Sequence, residues 1–359
     1  MTASFVKPNF SGKRLLVVGG AGFVGSNLVH RLLQDDPREI IVIDNLLSAD
    51  IANVPDDQRI RFIGNTITDD LVLRDLPDDL DYAFHLACFH GNQSSIADPI
   101  ADHDNNNVTS LKLFERLKDI RSLRKVVYAA AGCAVAKKTR DEPAATSEDA
   151  PVDLFHDSPY SISKLVGEMY GNFYFRRHKM PFTKARFQNV YGPREILGAG
   201  RWRGTQHTVW RNVTPTFIFK ALHKEALPMI NGGQDGRDFI FVADLVEGLT
   251  RIAAYGEPGE AYNLGTGRET RIRDLAETIN RLAGNPTPPQ IDPPRDWDNS
   301  GRRFGDPRKS REKLGFSADV EIEEGLRRTI AWTRENLPLI RRCMARHVAR
   351  VPDVAKYQA

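Results

Sequence analysis

Apolar positions in the first part of the chain fall into two alternating patterns. Short continuous runs read as buried strands: Leu15 to Val18, Glu39-Ile-Ile-Val-Ile-Asp44, Arg59-Ile-Arg-Phe-Ile63, Tyr82-Ala-Phe-His-Leu-Ala87 and Lys125-Val-Val-Tyr-Ala-Ala130. Between them, apolar residues recur at helical spacing, as in Phe23, Val24, Leu28, Val29, Leu32 and Leu33, and again over Val108 to Leu117. Strands that alternate with helices, and that are apolar throughout, predict an α/β fold. Its centre is a doubly wound parallel sheet covered on both faces, with right-handed crossovers. Residues 137–157 are polar and contain proline, which predicts a loop. Beyond it the pattern predicts a helix from Ser158 to roughly Arg177, a strand over Phe182 to Phe187 and a helix over Val213 to Leu222. Near the end, Ile340, Met344, Val348 and Val351 form a helical stripe.

The junction of the first strand and first helix carries chemistry. It reads Val17-Val-Gly-Gly-Ala-Gly-Phe-Val-Gly25. Gly19 lets the chain turn off the strand, Gly22 lets a pyrophosphate approach the main chain, and Gly25 lets the helix sit close to the sheet. The helix N-terminus then presents free N–H groups to phosphate. Asp44 ends the second strand at the place where a carboxylate grips the adenosine ribose hydroxyls. No Arg or Lys follows it closely, so NAD is expected rather than NADP.

A second signal is Tyr160 and Lys164, four apart on one face of the long helix. Ser158 suits its N-cap and Pro159 its first turn. A nearby lysine cation favours the phenolate that a tyrosine needs in order to act as a base, and it can also hold a ribose hydroxyl.

Composition narrows the class. The chain has 359 residues, enough for more than one average domain. Charged residues make up 27% but the net charge is only +3, so no nucleic-acid partner is expected. The three cysteines, Cys88, Cys133 and Cys343, lack metal-ligand spacing and fit a reducing compartment. No signal peptide or membrane-length apolar run is present, so a cytoplasmic protein with neither a metal nor a membrane partner is expected.

Taken in order, these motifs resemble the extended short-chain dehydrogenase/reductases of the nucleotide-sugar epimerase/dehydratase family, including enzymes like UDP-glucose 4-epimerase. The resemblance spans about residues 12–335. It rests on Gly19, Gly22, Gly25 and Asp44; on His85-Leu-Ala87, Asn107-Val108, Tyr160 and Lys164; and on Arg186-Phe-Gln-Asn-Val-Tyr-Gly-Pro193, Gly236-Arg-Asp-Phe-Ile-Phe-Val242 and Tyr262-Asn-Leu-Gly-Thr266. It implies a Rossmann-type NAD-binding domain over 1–190, with 237–262 returning to it. A smaller α/β nucleotide-sugar domain would comprise 191–236 and 263–335, followed by a basic extension over 336–359. The cofactor contacts it implies are Gly19, Gly22, Phe23, Val24, Gly25, Asp44, Asn45, Asp69, Leu86, Ala87, Tyr160 and Lys164. It also implies a homodimer through helices near 104–118 and 158–178.

On the substrate side, Asn189 at a strand end offers an amide to a diphosphate or sugar. The loop 194–212 holds Arg194, Arg201, Trp202, Arg203, His207, Trp210 and Arg211, and arginine forks suit diphosphates. Arg211, Arg237 and Arg295 are the expected phosphate partners, the last two by resemblance. The tail carries Arg341, Arg342, Arg346, His347 and Arg350, which suits either packing on the body or a polyanion contact such as RNA.

The sequence departs from the family at one place. The family carries a Ser or Thr after the fifth strand that hydrogen-bonds the sugar and the catalytic Tyr. Here the segment is Tyr128-Ala-Ala-Ala-Gly-Cys-Ala-Val-Ala136, and Ala131 takes that position. Cys133 is a candidate substitute acid/base. Gly132 and Cys133 stand where the dehydratases carry an Asp-Glu pair, which argues against dehydration. The expected reaction is epimerisation at C4 of a nucleoside-diphosphate sugar through a 4-keto intermediate. A 4-dehydrogenase, a C5 epimerase, a dehydratase, a decarboxylase on a uronic acid and a non-catalytic NAD-binding sensor stay open as alternatives.

Overall fold

A computed structural model describes residues 5–132, 144–295 and 301–358. The strands are β1 (Arg14–Val18), β2 (Glu39–Ile43), β3 (Ile60–Ile63), β4 (Tyr82–His85), β5 (Lys125–Ala131), β6 (Phe182–Phe187), β7 (Asn189–Tyr191), β8 (Pro228–Ile230), β9 (Gly236–Arg237), β10 (Phe239–Phe241), β11 (Ala261–Leu264), β12 (Thr270–Arg271), β13 (Gln290–Asp292) and β14 (Arg302–Arg303). The helices are α1 (Phe23–Leu33), α2 (Asp70–Arg74), α3 (Asn92–Ala97), α4 (Pro99–His103), α5 (Thr109–Leu117), α6 (Pro159–His178), α7 (Val213–Leu222), α8 (Val242–Tyr255), α9 (Ile272–Ala283), α10 (Arg308–Leu314), α11 (Ile322–Glu335) and α12 (Leu337–Ala345).

The central sheet has seven strands in the order β11-β6-β5-β4-β1-β2-β3. All six pairings are parallel. Side chains alternate between the faces as strand geometry requires. Leu15, Val17, Ile40 and Val42 point to one face, where they meet α1 and α8 through Leu28, Val29, Leu32, Leu245 and Leu249. Leu16, Val18, Ile41 and Ile43 point to the other face, with Val72, Leu113, Phe114 and Tyr174 from α2, α5 and α6. Strand order reverses at β1, where chain crossovers leave to opposite sides, and a crevice opens beyond the carboxyl ends of β1 and β4.

A buried ion pair fixes α6 to the sheet. Arg186 of β6 donates Nε to Glu168 Oε1 at 2.9 Å and Nη2 to Glu168 Oε2 at 2.8 Å. Its Nη1 reaches the Glu148 carbonyl at 2.7 Å. The geometry is the bidentate fork that a buried charge requires.

A second group of elements packs its own core from Phe217, Ile218, Leu275, Ile279, Leu326 and Ile330, with Tyr191, Phe239 and Phe241 at its base. Asn189 belongs here. It does not end β6; it opens β7, which pairs in parallel with β10. The chain changes partner at this point: Gln188 N bonds the Leu264 carbonyl, and Asn189 N bonds that of Asp238 at 2.8 Å.

The apolar stripe near the end packs inward. Ile340, Met344 and Val351 are buried and Val348 is half-buried against Ile196, Leu197, Val209, Trp210 and Phe219. The basic residues there are engaged with the body. Arg346 pairs with Asp50 at 3.2 Å, Arg341 lies 3.2 Å from His223 Nε2, and Arg350 stacks over Trp202 at 5.4 Å. Docking of this kind favours packing over the polyanion contact that the charge pattern left open. Among the described residues, no helix is long and apolar enough to cross a membrane.

Candidate active site

A cavity of about 740 Å³ lies beyond the carboxyl ends of β1, β2, β4 and β5 and runs under the loop 194–212. Its first wall is the glycine turn. Gly19 has φ +86°, and an added Cβ would sit 2.5 Å from Ala87 N. At Gly25 an added Cβ would meet the Gly19 carbonyl at 2.1 Å. At Gly22 only that same carbonyl lies within reach, at 3.2 Å. α1 begins there with no side-chain cap, so its first N–H groups are left for a ligand. Gly22, Phe23, Val24, Gly25, Leu86 and Ala87 line this wall. An uncapped helix end over a turn too tight for any side chain fits the pyrophosphate of NAD.

Asp44 lies just past β2 and lines the cavity beside Asn45. Its Oδ2 accepts from Ala21 N at 3.0 Å and its Oδ1 from Leu46 N at 2.8 Å. Burial pushes its carboxyl above the ordinary value, against these backbone bonds. The residue thus braces the glycine turn as well as facing the cavity, a role its position at a strand end did not signal. Asp69, expected as a cofactor contact, is not in this wall. It caps α2 by accepting from Leu71 N at 2.8 Å, and it also accepts from Asn65 Nδ2 at 2.9 Å. Asn65, Thr66 and Ile67 line the cavity in its stead. The physical reason is that a short acid just before a helix satisfies the free N–H groups of that helix.

Tyr160 stands in the first turn of α6. Ser158 Oγ caps the helix through Ser161 N, and Pro159 occupies the first position. The Tyr160 amide is held by Ser95 Oγ at 3.1 Å. Lys164 is buried one turn on. Its Nζ donates to the Ala129 carbonyl at 2.8 Å and lies 5.9 Å from the Tyr160 ring centre. Behind this pair, Asn106 donates Nδ2 to Asp102 Oδ1 at 2.8 Å and to Ser163 Oγ at 3.0 Å, and its Oδ1 accepts from Phe89 N at 2.7 Å. That network ties α6 to the segment after β4. Ala131 lines the cavity with a methyl group. Cys133 lies outside the described residues.

The roof is the loop 194–212. Arg203 is buried and donates Nη1 to the His90 carbonyl at 2.6 Å; burial lowers its pKa to about 9. Arg211 is half-buried, its Nη2 on the Ala199 carbonyl, with its pKa lowered by the same cause. Trp210 carries Lys220 at 4.6 Å over its ring. Glu195 accepts from Asn212 Nδ2, and desolvation raises its pKa to about 7. At the far end, Asn189, Arg237 and Arg295 line the cavity, and Arg237 donates to the Gly236 carbonyl at 2.8 Å. The cavity therefore brings together the described candidate contacts for cofactor and substrate except Asp69, while Arg194, Arg201 and Trp202 of the loop do not line it. His90, Glu195, Asn212 and Arg303 also line it, and the sequence reading had not singled them out. Only the basic and aromatic density of the loop pointed toward this group.

No group of three or more His, Cys, Asp or Glu side chains suited to a metal ion occurs among the described residues.

Residues 15–265 match the model of the NAD dependent epimerase/dehydratase family. UDP-glucose 4-epimerase of Mycolicibacterium smegmatis is 32% identical over 89% of this chain and 98% of its own length. The Bordetella bronchiseptica enzyme WbmF, solved in complex with NAD+ and UDP, is 55% identical with TM-score 0.86, covering 95% of this chain and 98% of its own. UDP-glucose 4-epimerase of Thermotoga maritima, solved with UDP-glucose, is 29% identical with TM-score 0.81, covering 90% and 99%.

Proposed function

The chain belongs to the NAD dependent epimerase/dehydratase family, and from that premise we propose that it inverts C4 of a UDP-linked hexose through a 4-keto intermediate. It is an enzyme, and NAD is its cofactor. We assign residues 1–190 and 237–262 to the cofactor, 191–236 and 263–335 to the nucleotide sugar. The Rossmann turn and Asp44 hold the dinucleotide. Arg211, Arg237, Arg295 and Asn189 face the diphosphate and sugar.

The observation that carries this reading is the Tyr160–Lys164 pair in the same cavity as the glycine turn. Tyr160, as phenolate, takes the proton of the C4 hydroxyl while the C4–H electron pair leaves as hydride, giving the ketone. NAD, when bound, accepts that hydride and returns it. Tyr160 gives its proton back to the C4 oxygen after the sugar has turned over. Lys164, pinned to the Ala129 carbonyl, keeps a positive charge close to the phenolate. Gly132 and Cys133 stand where dehydration calls for an Asp-Glu pair, so inversion is favoured over loss of water.

Proton NMR in deuterated water tests this. Incubation with NAD and UDP-hexoses is expected to give the C4 epimer with no deuterium at C4 or C5. Deuterium at C5, lost water or a stable ketone would replace epimerisation with another outcome of the same chemistry.

A homodimer is also proposed. Ile162, Met169 and Phe173 stand exposed along α6 at 49, 54 and 53%, beside exposed Ile96, Ile100 and Leu111 on α3, α4 and α5. Exposed apolar residues on neighbouring helices suit a helix-on-helix interface. Sedimentation is expected to show a dimer that Met169→Glu with Phe173→Glu converts to monomer. A monomeric wild type at micromolar concentration would sink the idea.

A further inference from the structure

Ala131 leaves the sugar without the hydroxyl partner that the family places there. His90 lines the same cavity and offers a polar ring there. It follows β4, the strand that pairs with β5 in register from Tyr82 with Lys125 to His85 with Tyr128. Its ring meets that of Tyr160 edge-on, with centres 5.8 Å apart and planes at 87°. Both rings line the cavity.

Three neighbours decide which ring nitrogen carries the proton. Asn212 donates Nδ2 to buried Glu195 Oε1, which turns its Oδ1 toward His90. That oxygen can only accept, so His90 Nε2, 3.2 Å away, must be the donor. In a neutral ring Nδ1 is then a bare acceptor. Among the described residues the His90 side chain makes its hydrogen bond through Nε2, and the residue lines the cavity. The charged and titratable groups around the ring are Arg203, Arg211, Glu195 and Tyr160. The two arginines disfavour a proton, Glu195 favours one, and burial is the largest influence, holding the pKa below the ordinary value. The ring is therefore neutral near pH 7, and the Glu195–Asn212 pair sets its tautomer.

We propose that His90 binds the sugar: its Nδ1 accepts a hydrogen bond from a sugar hydroxyl beside Tyr160, and Glu195 and Asn212 are positioning residues that hold it in the accepting tautomer. The inference rests on the nucleotide-sugar reading of the site and deepens it. An acceptor, rather than the two-way hydroxyl of Ser or Thr, selects a substrate that offers a free hydroxyl at this point. It also cannot donate to the ketone, which leaves Tyr160 as the proton source for the return step.

The test uses the NAD-loaded full chain with UDP and UDP-glucose as probes, together with His90→Phe, His90→Gln and Glu195→Gln. His90→Phe keeps the aromatic edge on Tyr160 and removes both nitrogens. Calorimetry is expected to show UDP-glucose affinity falling about tenfold, the equivalent of one lost hydrogen bond, with UDP affinity unchanged. His90→Gln, which restores an acceptor, is expected to recover part of the loss. Histidine ¹⁵N NMR, assigned by the signal missing from His90→Phe, is expected to show a pyridine-type Nδ1 and a protonated Nε2 in the wild type and an altered tautomer balance in Glu195→Gln. Equal UDP-glucose affinity in His90→Phe, or an Nδ1–H tautomer in the wild type, overturns the proposal. These readouts need no turnover. If UDP-glucose binds no better than UDP to the wild type, the hexose reading fails, and with it the contact proposed on it; if it binds better and His90→Phe is unaffected, only the role of His90 fails.

Discussion

Tyr160→Phe is expected to lower kcat for a UDP-sugar roughly 10²–10⁴-fold, the usual contribution of a positioned general acid/base, while NAD and UDP affinities stay unchanged. The phenyl ring keeps the edge contact with His90, and the Ser158 cap and the Ser95 bond use main-chain atoms of the first turn. These ring and main-chain contacts are kept, and the proton carrier is removed. The usual companion of this tyrosine is absent as well, since Ala131 supplies no hydroxyl, so the loss should fall toward the large end of the range. Steady-state kinetics alongside fluorescence titration of NAD check it. Near-normal turnover would remove Tyr160 from the chemistry and return attention to Cys133.

Gly25→Ala is expected to be as damaging, for a reason that has nothing to do with protons. The new Cβ would lie 2.1 Å from the Gly19 carbonyl and 2.8 Å from Gly20 Cα. Both are main-chain atoms, so no side chain can swing aside. α1 has to lift off the turn, and the N–H groups at its start move away from the pyrophosphate. Overpacking of this kind costs about 3 kcal/mol. Weaker NAD binding by at least about tenfold should accompany it, since one misplaced backbone hydrogen bond to phosphate accounts for that much. Thermal unfolding with and without NAD separates the two effects: the melting temperature falls, and the stabilisation that NAD gives the wild type shrinks. An unchanged NAD-induced shift would mean that the turn does not cradle the dinucleotide.

The features that read clearly from the sequence are those whose parts lie close along it. The glycine turn spans seven residues from Gly19 to Gly25, and Tyr160 and Lys164 share one helical turn, so spacing alone placed them. The alternation of strand and helix likewise announced the parallel sheet, because each strand buries both its faces. The rest depends on contacts between distant segments. His90 and Asn212 are 122 positions apart, and Arg203 meets the His90 carbonyl across 113. No periodicity encodes such a pairing. Asp69 shows the opposite failure. A short acid in a turn after β3 suits a ribose contact and a helix cap equally well, and the free N–H of Leu71 was the nearer partner. Asn189 was misplaced for a related reason: one residue separates β6 from β7, but the chain changes hydrogen-bonding partner between them.

The ends of the seven-stranded sheet decide how copies of this protein can and cannot associate. An unpaired strand edge is an open template for another chain, and parallel sheets leave two of them. Here β3 is only four residues long and carries Arg61, paired with Asp75 just past α2. At the opposite margin, β11 has its outward main-chain groups taken: Glu148 Oε1 accepts from Asn263 N at 2.7 Å, and Ser310 Oγ donates to the Asn263 carbonyl at 2.5 Å. Side chains thus occupy the positions a foreign strand would need. Sheet extension, the first step toward fibrillar aggregates, is blocked at β11 by hydrogen bonds and discouraged at β3 by charge and brevity. What remains open to a second copy is a helical surface, where contact is by side chains and can be reversed.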